Sequence, residues 1–263
     1  MAKYEKIADD LRHKIQSGIL RPGAQLPAET VLLAQYKVSL PTMRAALGVL
    51  RAEGLIEARH GLGTYVRQPR QRVRRTNTRY QWEKDRVKDS ESKRRQTGAT
   101  EQDTGLDVDD LEFEAEYEVT KADPTVAGIL GVRPGSRVLH RTFRTRFRKE
   151  DVPFNVAHSY LPLDVVKANP KLLDAASEPW PGGTQHQLST VGIELDRIVD
   201  EVTARPPRAD EAEQLGILPG VALLVVRKIS IDTGGRVVEF SEITMPGDRH
   251  ELVYTTPLTR WSS

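Results

Sequence analysis

The stretch Glu29–Val66, ETVLLAQYKVSLPTMRAALGVLRAEGLIEARHGLGTYV, decides the fold. It reads as a helix, a tight turn, a second helix and a glycine-centred pair of strands. Leu32, Leu33 and Tyr36 face inward from the first helix, expected over residues 28–36. The second opens at Ser39-Leu40-Pro41-Thr42 with Ser39 as N-cap, and Gly54 stops it after Glu53. Met43, Ala46, Leu47 and Leu50 form its core face, which leaves Thr42, Arg44, Ala45 and Arg51 to solvent or a partner. Leu55–Arg59, the tip His60-Gly61-Leu62-Gly63 and the return Thr64–Arg67 then make a hairpin. That order is a winged helix-turn-helix, a shape that lays one helix in a major groove and sets the wing against backbone or minor groove.

Working outward, Tyr4, Ile7, Leu11 and Ile15 form an apolar stripe on a helix expected over Tyr4–Ser17. Gly18 ends it and Arg21-Pro22-Gly23 turns the chain. Pro27 sits just outside the next helix, where its missing N–H costs little. The 263 residues suffice for two modest domains. No apolar run approaches the roughly 18 residues of a membrane span. The start, Met1-Ala2-Lys3-Tyr4-Glu5-Lys6, has no signal-peptide core, so a cytoplasmic protein is expected. With no cysteine, disulfides, thiolate metal sites and cysteine nucleophiles are excluded.

The net charge of +2 hides a split. Residues 1–75 carry 14 Lys/Arg against 6 Asp/Glu, residues 76–100 carry 7 against 4, and residues 101–263 carry 18 against 27. A basic front and an acidic rear suit one module that meets phosphates and one that does not. Residues 69–77, PRQRVRRTN, are basic and aperiodic and read as a linker or a phosphate-contacting arm. Residues 80–105 are polar and expected to be mobile in part.

Beyond them the grammar changes. Phe113–Val119 alternates as a half-buried strand. Short helices are expected over Pro124–Leu130, Leu163–Asn169, Gln185–Val191 and Arg208–Leu215. Strands are expected over 138–147, 154–161, 193–205, 222–232, 237–245 and 251–256. Hairpin-joined strands with helices in the connections predict an α+β domain on one mixed or antiparallel sheet. The domains are thus 1–68, a linker 69–79, and 80–259.

With these residues in hand, the chain resembles a GntR-family transcriptional regulator of the HutC subfamily. Leu26-Pro27-Ala28-Glu29, Val38–Leu47, Leu50–Ile56 and Gly61–Val66 follow that family's pattern in order and spacing. Looser matches are Val152-Pro153, Tyr160-Leu161-Pro162, Ala209–Ala212 with Leu215-Gly216-Ile217, Val238–Ser241, and Gly247-Asp248-Arg249. The resemblance implies an N-terminal winged helix and a C-terminal UTRA domain of chorismate-lyase-like, antiparallel-sheet fold. It also implies a homodimer on an inverted-repeat DNA operator, acting as a repressor under a small-molecule effector. Where the family often has arginines, this chain has Thr30 and Leu40, which changes the expected operator sequence. Ala157 replaces a common acidic residue, and the segment around Tyr80-Gln81-Trp82 lacks the serine-phenylalanine feature of amino-sugar-phosphate sensors. A regulator whose rear domain is degenerate and senses nothing remains the alternative.

The DNA-binding candidates are Ser39, Leu40, Pro41, Thr42 and Arg44 on the second helix of the motif, and Arg59, His60, Gly61 and Gly63 in the wing. Gly61-Leu62-Gly63 is no nucleotide fingerprint, because it sits in a hairpin and lacks the third glycine. In the rear domain, Arg144 and Arg146 share a strand face with His140 and Thr142, opposite Leu139, Phe143 and Phe147. That face is a candidate wall for an anionic effector, with Tyr160, Glu239, Ser241 and Asp248 expected across the same pocket. His140 and His158 lack further ligands for a metal site. No metal, cofactor, membrane partner or catalytic residue is expected.

Overall fold

The computed structural model describes residues 2–68 and 70–260; Pro69, the first residue of the expected linker, lies outside them. The chain falls into two compact units, residues 1–71 with 206–222, and residues 72–205 with 223–263. No helix among the described residues is long and apolar enough to cross a membrane.

In the first unit, α1 (Lys3–Gln16), α2 (Glu29–Tyr36) and α3 (Leu40–Ala52) precede the wing strands β1 (Ile56–Arg59) and β2 (Gly63–Val66). Of the expected stripes, Ile7, Leu11, Leu32, Met43, Ala46, Leu47 and Leu50 are buried, together with Ala8, Leu26, Ile56 and Val66, while Tyr4, Ile15, Leu33 and Tyr36 pack against them partly buried. Lys37, at φ 53°, makes the sharp turn between α2 and α3 in the left-handed region, a strained place for a residue with a Cβ. Ser39 occupies the N-cap of α3 with extended backbone, but it makes no capping bond. Its hydroxyl meets Thr42 Oγ1 at 3.0 Å instead. Gly54 (φ 69°) ends α3, with its N–H and that of Leu55 donating to the carbonyls of Arg51 and Leu50.

The second unit begins with a difference from the sequence reading. Residues 73–76, expected as linker, form β3 (Val73–Thr76). After it come α4 (Arg79–Asp85), α5 (Glu91–Arg95) and α6 (Ala99–Thr104), in a region expected to be mobile in part. Composition marked this region as solvated, yet Arg79, Arg86 and Asp103 are buried in it. Buried Arg79 bonds Asp103 and Glu83. Arg86 donates to the carbonyls of Arg94 and Thr97 and lies 4.3 Å over Trp82.

Then come β4 (Leu111–Lys121), α7 (Pro124–Leu130), β5 (Arg137–Phe147), β6 (Asn155–Pro162), α8 (Leu163–Val166), α9 (Gly183–Ser189) and β7 (Leu195–Arg205). The segment 206–222, which holds α10 (Ala209–Gln214), groups with the first unit. The chain closes with β8 (Leu223–Asp232), β9 (Val237–Pro246) and β10 (His250–Val253). Six strands make one antiparallel sheet in the order β4-β5-β6-β9-β8-β7. Leucines and valines from α8 and α9 cover one face around Leu139, Leu161 and Val238, while α7 packs near Phe240 and Tyr160 on the other. The β3 strand pairs in parallel with β10, Val73 opposite His250.

That pair carries a titratable group. His250 is buried, its Nδ1 3.0 Å from the Pro246 carbonyl, and its Nε2 has no partner. Burial is the main cause that pushes its imidazole down to about 4. The unfolded chain therefore binds the proton more readily, and stability from this group is full above about pH 6.5 and is lost as pH falls towards 4. Asp103, pushed up by burial to about 6 despite Arg79, works in the opposite sense. The expected result is thus a difference: relative to His250→Leu, the wild type loses on the order of 3 kcal/mol between pH 6.5 and 4. Urea unfolding followed by tryptophan fluorescence checks it.

Candidate nucleic-acid interface and effector pocket

In the first unit the outward residues of α3 recur at helical spacing, with Leu40, Pro41, Arg44 and Ala45 exposed. Arg44 is the guanidinium among them, 61% exposed, with Nε 3.3 Å from Glu29 Oε2. A pair this open is worth at most about 1 kcal/mol, so Arg44 is free to exchange its carboxylate for a phosphate or base. Thr42 is half-buried and turned to Ser39. Both line a shallow concavity at the α2–α3 turn together with Lys3 and Lys37. These two lysines belong to the candidate phosphate-facing surface and were missed in the sequence, where each looked like an ordinary solvated charge.

The wing is held in shape by side chains outside its own motif. Gln25 Nε2 donates to the Leu62 carbonyl at 2.7 Å, and Gln25 bridges to Tyr65 as a third strand segment. Gly61 and Gly63 take φ 71° and 111°. A Cβ on Gly63 would come within 2.8 Å of the Gln25 amide, so this glycine serves the tip geometry. Arg59 stacks 4.4 Å over Tyr65 and pairs with Glu57 at 2.8 Å. His60, Gly61, Leu62 and Gly63 are exposed.

In the second unit a cavity of about 630 Å³ opens on the face of the sheet that carries Phe113, Phe143 and Thr145. Its other walls are Trp82 and Arg86, the stretch from Arg94 to Glu101, and the loop from Glu178 to Thr184 with Gln187. The segment read as mobile therefore supplies a wall of the pocket. Phe113 and Phe143 form a tilted ring pair at 5.8 Å.

Adjoining that wall lies a buried polar network. Glu239 Oε1 accepts from Arg141 Nη2 at 2.9 Å and Ser159 Oγ at 2.8 Å, and Oε2 accepts from Lys228 Nζ at 2.8 Å and Ser230 Oγ at 2.9 Å. Arg141 Nη1 reaches Gln187 Oε1 at 2.7 Å, whose amide donates to Glu178 Oε1 at 2.8 Å. Tyr117 also bonds Glu178. Burial alone would raise the Glu239 carboxyl, but Lys228 and then Arg141 hold it down to about 2. Arg141 keeps a buried Nε without a partner.

The residues expected to wall an effector site are spread over both faces of the sheet and a turn. Alternation sorts β5 correctly into two faces, but Arg144 and Arg146 lie on the side away from the pocket. There they pair with Glu116 at 2.9 Å and Glu112 at 2.6 Å across the β4–β5 register. Tyr160 shares their side, stacked 4.5 Å from His140. Glu239 and Ser241 are on the pocket side but sit in the buried network, with Ser241 Oγ 3.3 Å from Glu239. Asp248 is exposed in the turn before β10. The six residues therefore do not converge on one cavity; Phe143, Thr145 and Gln187, which line it, were missed, as was Arg141 in the network beside it. The signal for them was Phe143, the apolar residue on the strand face opposite Arg144. The inward charge of Arg141 on that same face obscured it. His140 Nε2 and His158 Nδ1 lie 3.2 Å apart, while no group of three or more ligand-type side chains suited to a metal occurs among the described residues.

Comparison with known proteins bears on both units. The model of the bacterial regulatory proteins of the gntR family matches residues 3–66, and that of the UTRA domain matches residues 114–251. An HTH-type transcriptional regulator of Rhizobium meliloti is 28% identical over 255 residues, covering 96% of this chain and 94% of that one. The histidine utilization repressor of Klebsiella aerogenes is 27% identical over 252 residues, covering 95% and 92%. A solved regulator assigned to the GntR family superposes with a TM-score of 0.66 at 27% identity, over 98% of this chain and 99% of that one. The chain belongs to the gntR family of bacterial regulators, as a HutC-type member that joins a DNA-binding winged helix to an effector-binding UTRA domain.

Proposed function

We propose that the protein is a cytoplasmic repressor that holds an inverted-repeat operator as a homodimer and loses affinity for it when an effector fills the 630 Å³ cavity. The outward stripe of α3, with Arg44 at its centre, is the observation that carries this reading. In a two-fold dimer the two recognition helices sit one DNA turn, about 34–36 Å, apart. Phe113, Phe143 and Trp180 on the cavity wall support an apolar body on the effector, and the charged residues of both signs around them support polar groups at its rim. Ala157 packs against the apolar cluster of Val226, Ile243 and Met245, and the cavity stands open without it, which favours a sensing domain over a degenerate one. The protein acts by binding alone. A coupling of about 1–3 kcal/mol between the two sites suffices for control.

Footprinting at low ionic strength, on the promoter of the protein's own gene and its neighbours, tests the DNA half. A duplex without any protected inverted repeat ends the proposal. For the sensing half, Thr100→Trp, which pushes an indole from the cavity wall into the space, is expected to keep operator affinity within twofold. The same variant loses the rise in melting temperature that a bound effector gives the wild type. Unchanged effector response in this variant would place the effector elsewhere.

A further inference from the structure

Up to Gly48 the outward stripe of α3 is almost without hydrogen-bonding side chains, and Arg51 follows only in the last turn. Leu40, Pro41, Arg44 and Ala45 are exposed, and a Cβ on Gly48 would meet nothing within 4 Å. Ser39 and Thr42 are turned towards each other. Arg44 is thus one guanidinium among a leucine, a proline, an alanine and a glycine. Leu40 is 38% exposed, in the first turn of the helix that the reading above lays in the major groove.

We propose that Leu40 is a specificity-determining residue that recognises thymine in the operator through its C5-methyl group; this rests on the DNA-binding function proposed above. An isobutyl group has no donor or acceptor, so it discriminates nothing by the O6/N7 or N6/N7 patterns of guanine and adenine. The thymine methyl is the apolar feature that a base pair presents in the major groove. A lone exposed leucine on a protein surface means little by itself. Here it stands on the stripe that faces the groove, beside small residues that let the helix approach closely enough for a short side chain to reach a base edge. Leu40 and Arg44 are four residues apart, about 6 Å along the helix axis. The thymine is therefore expected within about two base pairs of the position that Arg44 addresses. Leu62 at the wing tip is also exposed, at 62%, but the methyl lies in the major groove and the wing does not meet it there.

The test uses the full chain on its footprinted operator, with thymines exchanged one at a time for deoxyuridine, which lacks only the methyl. Wild-type affinity is expected to drop about fourfold per half-site at one thymine, the worth of burying one methyl group. Leu40→Ala is expected to bind the thymine and uracil duplexes alike and to keep the wild-type melting temperature. Wild-type indifference at every thymine overturns the proposal. So does a thymine effect that survives in Leu40→Ala, since that assigns the contact to Pro41 or Ala45. A chain that protects no duplex at all overturns both this proposal and the reading beneath it.

Discussion

Glu239→Gln is expected to lower the stability of the second unit by about 3–5 kcal/mol, the cost of leaving buried charges without their counterion. The carboxylate is the negative partner shared by Arg141 and Lys228, whose side chains are 2% and 15% exposed. A glutamine of the same size keeps the packing and removes the charge, so a fully buried Arg141 and a largely buried Lys228 remain without their counterion. The loss should be partly reversed by adding Arg141→Met, which removes one of the stranded charges, and that non-additivity distinguishes the network from simple packing. Acid has the same effect as the substitution. Glu239 is held at about 2 in the folded protein, so its contribution is complete above the ordinary carboxylate range near 4.5 and drains away as pH falls towards 2. Urea unfolding of both variants across that window measures the effect. A loss below 1 kcal/mol at neutral pH would mean that the network is incidental to the fold.

Arg44→Ala is expected to weaken operator binding by about 1–3 kcal/mol, roughly five- to 150-fold, with stability within about 0.5 kcal/mol of the wild type. Its side chain is open and its one ion pair, with Glu29, is weak. The salt dependence separates two modes of contact. Loss of a phosphate contact flattens the slope of log affinity against log salt by about one for each head. Loss of a base contact leaves the slope and relaxes sequence preference. Glu29→Gln serves as the opposite control, because removing the carboxylate frees Arg44 and should raise affinity. An Arg44→Ala protein that binds as tightly as the wild type, at every salt concentration, would show that another surface meets the DNA.

The sequence was most legible where signals are local. α3 and the wing combine a proline in the first turn, a glycine stop, an apolar stripe at period 3.6 and glycines at a hairpin tip, all within forty residues. β5 was legible only by half. Period-two alternation separates Arg144 and Arg146 from Phe143 and Thr145, but it does not say which face another layer will cover. The inward charge of Arg141, satisfied by Gln187, Ser159 and Glu239, blurred the contrast that normally answers that question. β3 left no trace because three of its four residues are polar and its partner, β10, lies far along the chain. α4–α6 were misread for a related reason. Arg79, Asp103 and Arg86 look solvated one at a time and become core residues only as pairs.

The open sheet ends in two edge strands, β4 and β7, each paired along one side. Along β4, Glu112, Glu114, Glu116 and Glu118 stand on one side, and three of them are tied back to Arg146, Arg144 and His140. Another molecule offering the same border would set glutamates against glutamates and bring no cation to Glu114, so the margin disfavours pairing with its own kind. Ribbons of stacked sheets are therefore not expected to grow from this rim when the protein is concentrated.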